Sequence, residues 1–405
     1  MRVLMLTSTY PRFAGDMQAN FVGEQAAAWA AERPNDQLVV LAPHSSGVPQ
    51  REAADGFTVE RFRYLRPASA QRLAYPAILP NLRRNPLLWA QVPPFVAAEY
   101  LAARRVAQRI SADCVYAHWT IPQGLVAWQI KRTLGLPYFL QNHSSDLAVL
   151  DKLGSPGRKL ARTLLRDAAH FFCVNADQRR HAVELFEGGE RDEFDRKCTV
   201  LPMGIAERST TSAATRGGFD IATIGRLSRK KGTELLICAA ESLAARGIRP
   251  SIGIAGDGEE RERLNALVDR ANVTFVGFLT GPEKDRFLAA ARGFAFPALA
   301  ADGDVEGLPV ALLEALARGT PVLASRDTNI ELLPEWAAIR DDVVFVEDPS
   351  DIDSLERALE RLIATDGSSR TVRHIERYHW NNLIREYLAP IDSALIHARR
   401  SATSR

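Results

Sequence analysis

Two doubly wound α/β domains, each a parallel sheet wrapped by helices and the pair facing across a cleft, are what this 405-residue sequence predicts. Three observations predict them. Strand-like apolar runs alternate with helical stretches from end to end, the signature of βαβ units. The alternation pauses once, between Gly204 and Gly218, in a Ser/Thr/Ala-rich stretch with no apolar periodicity. At roughly 150 residues per domain, a chain of this length is expected to hold two to three.

The elements follow in order. VLMLTS reads as the first strand, FVGEQAAAWAAER as a helix and QLVVLAP as a second strand; a long Ala/Arg-rich stretch ending at Ile110 and the strand CVYAHW come next. These belong to a first domain over 1–204, followed by a linker over 205–217. The second domain, 218–377, repeats the alternation: FDIATIG, a helix over 232–246, PSIGIAG, a helix over 259–270, VTFVG, a helix over 282–292, GFAFPA, a helix over 308–318, then PVLAS and VVFVE. The tail, 378–405, is amphipathic and is expected to fold back as a helix on the first domain. Ligands of such folds gather at the carboxyl edges of the sheets.

Composition removes several classes. With 46% apolar and 25% charged residues, this is an ordinary globular chain rather than a disordered or disulfide-built one. Cys114, Cys173, Cys198 and Cys238 form no C-x-x-C pair, which argues against zinc ribbons and thioredoxin-like motifs and for reduced thiols in a cytoplasmic protein. No window offers eighteen uncharged apolar residues, so no membrane span is expected, and the N-terminal apolar run is too short for a secretory signal. Neither the first strand nor 219–224 is followed by G-x-G-x-x-G, which argues against a nicotinamide oxidoreductase. Residues 1–210 carry 26 Lys+Arg against 20 Asp+Glu, so the small net charge of +2 hides a basic first half. No nucleic-acid module accompanies it.

Two segments carry chemistry. In DGDVEGLPVALLEALARGTPVLAS, residues 302–325, Pro309 suits a first helical turn and Gly319 a left-handed stop. The amides of Gly307, Leu308, Pro309 and Val310 are expected to form an anion site. Glu306 lies at its mouth, and Glu314 follows five residues after Pro309, about 7.5 Å along the axis. One acid can reach a sugar while the other reaches a ribose; the plainer alternative makes them a helix-end acid and a solvated one. In IGRLSRKKGTELL, residues 224–236, a strand ends at Gly225, and Arg226, Lys230 and Lys231 precede the glycine that opens a helix. Arg226 can bind a diphosphate as a fork and Lys231 as a point charge.

Together these segments resemble the glycosyltransferases of family 4. The pattern G-R-x-x-x-x-K-G is present as Gly225, Arg226, Lys231 and Gly232; E-x(7)-E follows as Glu306 and Glu314, then A-x-G-x-P-V from Ala317 to Val322. GIAGDGEER, VTFVGFLTGPEKDRFLAAA and GFAFPA fit between them. STYPRFAGDMQANFVGEQAAAWA, DCVYAHWTIPQGLVA, QNHSSDL and VLPMGI in the first half resemble the same family, in the subset that builds surface polysaccharides. The resemblance implies the GT-B fold, a nucleotide-sugar donor with no further cofactor, no metal, and retention at the anomeric carbon. It implies that His118 and Glu306 face the donor sugar, that Arg226, Lys231 and the amides at 307–310 hold the diphosphate, and that Glu314 holds the ribose. The loop with Gly15 and Asp16, together with His143, is implied to meet donor or acceptor. Other readings of the same fold are a nucleotide-sugar epimerase, a phosphorylase, and a glycan-binding relative without activity.

The sequence departs from the family where Gly15 is followed by Asp16 instead of a second glycine, where Ala206 replaces an Asp, and where RDTNIE, ending at Glu331, follows PVLAS in place of a small glycine turn. A third feature is independent of the resemblance. From Arg61 to Ala98 there are six arginines (61, 63, 66, 72, 83 and 84) and no acid, interleaved with Phe62, Tyr64, Tyr75, Trp89, Phe95 and Leu87–Leu88. Arginines among aromatics are an interfacial composition. The expectation is contact with an anionic membrane surface on the cytoplasmic side, bringing the enzyme to a glycan or lipid-linked acceptor; an ordinary domain edge is the alternative.

Overall fold

The computed structural model describes residues 1–13, 16, 20–143, 146–206, 218–301, 306–365 and 369–403. The chain divides into two compact units, Met1–Gly204 with Leu383–Arg405, and Ile205–Asn382. Of the linker expected over 205–217, Ile205 pairs with His379 inside the second unit, and 207–217 lie outside the described residues.

The described residues of the first unit form eight strands: β1 (Arg2–Leu6), β2 (Gln37–Pro43), β3 (Arg51–Ala54), β4 (Phe57–Phe62), β5 (Cys114–His118), β6 (Tyr138–Gln141), β7 (His170–Cys173) and β8 (Cys198–Val200). Their order is β3-β4-β2-β1-β5-β6-β7-β8. All pair in parallel except β3, which returns antiparallel on β4 as an edge hairpin around Gly56. Central strands have apolar residues on both faces, as sheets covered on two sides require; Val3, Leu4, Met5 and Leu6 are wholly buried. The helices that bear on function are α1 (Phe21–Glu32), α2 (Ile78–Arg84), α3 (Val92–Ile110) and α4 (Leu125–Leu134).

The second unit holds β9 (Ile221–Ile224), β10 (Ile252–Ala255), β11 (Val273–Gly277), β12 (Gly293–Phe296), β13 (Val322–Ser325) and β14 (Val343–Val346), in the order β11-β10-β9-β12-β13-β14 and all parallel. Its functional helices are α5 (Thr233–Ala245), α6 (Gly281–Ala290) and α7 (Val310–Leu316). In both sheets the strand order reverses beside the first strand, between β1 and β5 and between β9 and β12. Such switch points open a crevice at the carboxyl edge.

The last helix, α8 (Trp380–Thr403), belongs to the first unit from Leu383 onward. Tyr387 packs on Phe172 with tilted rings whose centroids lie 5.1 Å apart. Its hydroxyl takes the amide hydrogen of Gln141 at 3.0 Å and reaches the carbonyl of Leu201 at 3.0 Å. A buried tyrosine hydroxyl needs such partners.

Two expected helices come out shorter. That of 259–270 is only Arg261–Asn265, because the Glu241 carboxylate accepts the amides of Asp269, Arg270 and Ala271 at 2.7–3.0 Å and holds them outside the helical ladder. That of 308–318 is only Val310–Leu316, with Gly319 at φ +71° behind it.

The stretch 61–98 is corrected in part. Arg61 is no surface cation: its side chain is fully buried, pairing with Glu52 at 2.6 Å and donating to the Pro11 carbonyl at 2.7 Å. Phe62, Tyr64, Leu88 and Phe95 are core residues, with Phe95 meeting both Phe62 and Tyr64 edge-on at 5.1 Å. Arg63, Arg66, Arg72, Arg83, Arg84, Leu87 and Trp89 are exposed.

Candidate functional site

In the second unit the site grows from the loop after β9. Gly225 follows the strand, a 3₁₀ turn spans Arg229–Lys231, and Gly232 at φ +69° opens α5. Only glycine fits there: a Cβ would stand 1.8 Å from the Pro297 carbonyl oxygen. This close approach brings the turn against the end of β12, where Lys231 lies over the Phe296 ring, 5.1 Å from its centroid.

The same approach places Lys231 and Lys230 on Glu306. Their Nζ atoms stand 3.0 and 3.4 Å from Glu306 Oε1, and Glu306 is 7% exposed. Burial alone would raise its pKa; the two ammonium groups outweigh it and hold the carboxyl below its ordinary value. Asn329, in the left-handed region at φ +57°, donates its amide hydrogens to the carbonyls of Glu306 at 3.1 Å and Gly307 at 2.9 Å. The approach to α7 is thus fixed at its backbone.

Gly307, Leu308 and Pro309 are buried ahead of α7. Pro309 has no amide hydrogen, so the expected donors reduce to those of Gly307, Leu308 and Val310. Glu314 is not solvated: it is 6% exposed and paired with Lys284 of α6 at 2.6 Å, while Arg318 binds its carbonyl at 2.6 Å. Arg226 extends from the loop with its Nε on Glu259 at 3.0 Å. The second unit therefore gathers Arg226, Lys230, Lys231, Glu306 and Glu314 around one sheet edge and adds Lys284, Asn329 and Glu259. A signal for Lys284 exists in the sequence. A lysine in the first turn of a helix opens against the dipole and wants a specific partner.

In the first unit His118 ends β5 at the switch point, and His143 follows β6. Their rings are nearly parallel with centroids 5.1 Å apart, and His118 Nδ1 lies 2.8 Å from His143 Nε2. Both are uncharged: burial, and then the neighbouring His143, push His118 well below its ordinary pKa, and burial lowers His143 to about 3. His118 is fully buried with no partner on Nε2 among the described residues, whereas His143 keeps some exposure. Phe21, opening α1, and Trp119 flank His143 at 4.8 Å each. Trp119 adopts φ +73°, a conformation that costs a bulky residue about 1–3 kcal/mol. Its amide bonds the Gln141 carbonyl at 2.8 Å, and its carbonyl takes the Gly124 amide at 3.1 Å.

Gly15 lies outside the described residues, as do Asp302 and Asp304. Asp16 is buried and accepts the Arg12 amide, Nε and Nη2, each at 2.8 Å, so its carboxylate is engaged by Arg12.

Comparison with known proteins bears on both units. The family model described as Glycosyltransferase Family 4 matches residues 18–207, and the model described as Glycosyl transferases group 1 matches 209–378. A Bacillus subtilis glycosyltransferase named for teichuronic acid biosynthesis, TuaC, is 25% identical over 80% of this chain and 81% of its own. The amylovoran biosynthesis glycosyltransferase AmsK of Erwinia amylovora is 38% identical, over 34% of this chain and 36% of its own. Among solved structures, sucrose-phosphate synthase from Thermosynechococcus elongatus has the same fold, with a TM-score of 0.71 at 17% identity over 98% of this chain and 99% of that one.

Proposed function

The chain belongs to the glycosyltransferases of group 1 and family 4, and from that membership we propose that it moves a hexose-type sugar from a nucleoside diphosphate sugar to an acceptor hydroxyl with retention, in surface polysaccharide synthesis. The polysaccharide names of TuaC and AmsK support the setting. The observation that carries the chemistry is the buried Glu306 carboxylate held by two lysines at the β9/β12 switch point.

Lys231 and Arg226, with the amides of Gly307, Leu308 and Val310, receive the diphosphate and stabilise the charge that develops as it leaves. Lys230 stays on Glu306, which orients the transferred sugar through its hydroxyls, while Glu314 binds the ribose. Of the two histidines in the first unit, the partly exposed His143 is the one open to a ligand and the buried His118 backs it, the pair remaining neutral. The bond from the anomeric carbon to the phosphate oxygen breaks as that to the acceptor oxygen forms on the same face. The departing phosphate takes the acceptor proton, so no covalent enzyme intermediate is needed. With the positive charge supplied by side chains, transfer is metal-independent. The acceptor is a glycan carried on a membrane lipid, met at the cytoplasmic face.

Donor turnover and product NMR test the reading. Glu306→Gln is expected to lower kcat by about two powers of ten, the scale of one lost transition-state contact, and Glu314→Gln to act mainly on the donor KM. An inverted product, or activity abolished by EDTA and restored by Mg²⁺, refutes it.

A further inference from the structure

The outer surface of the first unit carries apolar groups that its own core leaves uncovered. A groove of about 730 Å³ runs between α3 and α4, lined among others by Val92, Pro93, Val96, Tyr100 and Trp128, with Arg132 at its rim. Arg132 lies over the Trp128 ring at 5.0 Å. The 3₁₀ turn Pro86–Gln91 leads directly into α3, and on it Leu87 is 83% and Trp89 57% exposed; Leu101, one turn past Ala97 on α3, is 52% exposed. Apolar side chains exposed singly are ordinary, but a cluster beside an open apolar groove marks an interaction surface.

Charge decides what the surface meets. Arg83 and Arg84 end α2 just before the turn, and Arg63, Arg66 and Arg72 are exposed as well. The only acid on α3 is Glu99, which is wholly buried, and α4 has none. Asp167 takes the Trp128 indole hydrogen at 2.9 Å and is itself paired with Arg166. The face therefore offers cations, a tryptophan and an apolar trough with no free carboxylate among the described residues of α2, α3, α4 and the turn.

We infer that this face docks on an anionic lipid leaflet, the arginines on headgroup phosphates, Leu87 and Trp89 at the interface, and the groove around a hydrocarbon chain. Arginine forks match phosphate oxygens, and tryptophan favours the headgroup boundary. This deepens the lipid-linked acceptor reading above and rests on it for its purpose, not for its evidence.

The test is cosedimentation of the full chain with vesicles of phosphatidylcholine alone and of phosphatidylcholine mixed with phosphatidylglycerol, alongside donor hydrolysis in solution. Binding is expected only to the mixed vesicles and to weaken with salt, since exposed charges are screened over about 8 Å at physiological ionic strength. R83E/R84E is expected to lower the binding constant at least about twentyfold at low salt, from roughly fivefold per juxtamembrane arginine. L87S/W89S is expected to lower it independently of salt. All four positions are exposed, and donor hydrolysis should stay at the wild-type rate. Equal binding to both vesicle types, or binding unchanged in both variants, overturns the proposal; dimers lost in L87S/W89S without vesicle binding would assign the face to a second copy instead. Vesicle binding without donor turnover would leave this inference standing and remove the catalytic one.

Discussion

Glu99 gives the sharpest test of how the first unit holds its switch point. It lies on α3, wholly buried, and takes Gln123 Nε2 at 3.2 and 3.3 Å on its two oxygens. Gln123 belongs to the turn that follows Trp119. Burial pushes the Glu99 carboxyl up from 4.5 to about 8, with the Gln123 hydrogen bond only partly opposing it. The folded pKa thus lies above the unfolded one, so the folded state holds the extra proton. The stability this contributes is fully present below about pH 4.5 and is lost as pH rises through about 8. With those two values, linkage gives a loss of about 3 kcal/mol between pH 6 and pH 9. His118, His143 and His170 run the other way, since burial lowers their pKa values and their folded forms are neutral. The readout is therefore the difference between wild type and Glu99→Gln. Urea unfolding at both pH values should show the wild type losing about 2–3 kcal/mol more than the variant. Parallel pH dependences of the two proteins would refute the argument.

Two further outcomes follow from the second unit. Lys284→Met strips the counter-charge from Glu314; donor KM is expected to rise about tenfold with kcat little changed, and unfolding free energy to fall by about 2 kcal/mol, below the full cost of breaking a buried pair because Lys284 is 27% exposed. An unchanged KM would detach Lys284 from the donor site. Gly232→Ala meets both a left-handed backbone and the Pro297 carbonyl, so thermal unfolding should report a loss of about 2–4 kcal/mol; a neutral result would show that the turn can shift.

What the sequence made legible was periodic or local. Alternating runs gave the two sheets, and the motif glycines marked real backbone demands: Gly232 and Gly319 do adopt positive φ. What it withheld was facing. Arg61 and Phe95 look the same in composition as Arg83 and Trp89, yet the first pair is core and the second is surface, because only packing against Glu52, Pro11 and the β4 edge decides it. The truncated helix at Arg261–Asn265 has the same origin, in a carboxylate that lies distant in sequence. Both histidines could be singled out, but their 2.8 Å contact depends on β5 and β6 being neighbours, which the alternation does not state.

On the proposed reading, the pairing of the second unit's acids with lysines lets one edge both stay folded and receive a diphosphate. Arg226, Lys230, Lys231 and Lys284 face Glu259, Glu306 and Glu314, four cations against three carboxylates. Cations gathered there without partners would repel one another and destabilise the fold. Held against glutamates, they stay in place with their side chains still 19–38% exposed, and they compensate the charges of the buried Glu306 and Glu314. An arriving diphosphate then exchanges partners instead of creating a charge: Lys231 can turn from Glu306 to a phosphate oxygen while Lys230 retains the carboxylate. The proposed mechanism thereby separates orientation of the acid and charge stabilisation of the leaving group onto two adjacent lysines. Removing Lys230 should loosen the acid, and removing Lys231 should weaken the grip on the leaving group, although the two are neighbours in sequence and share one oxygen.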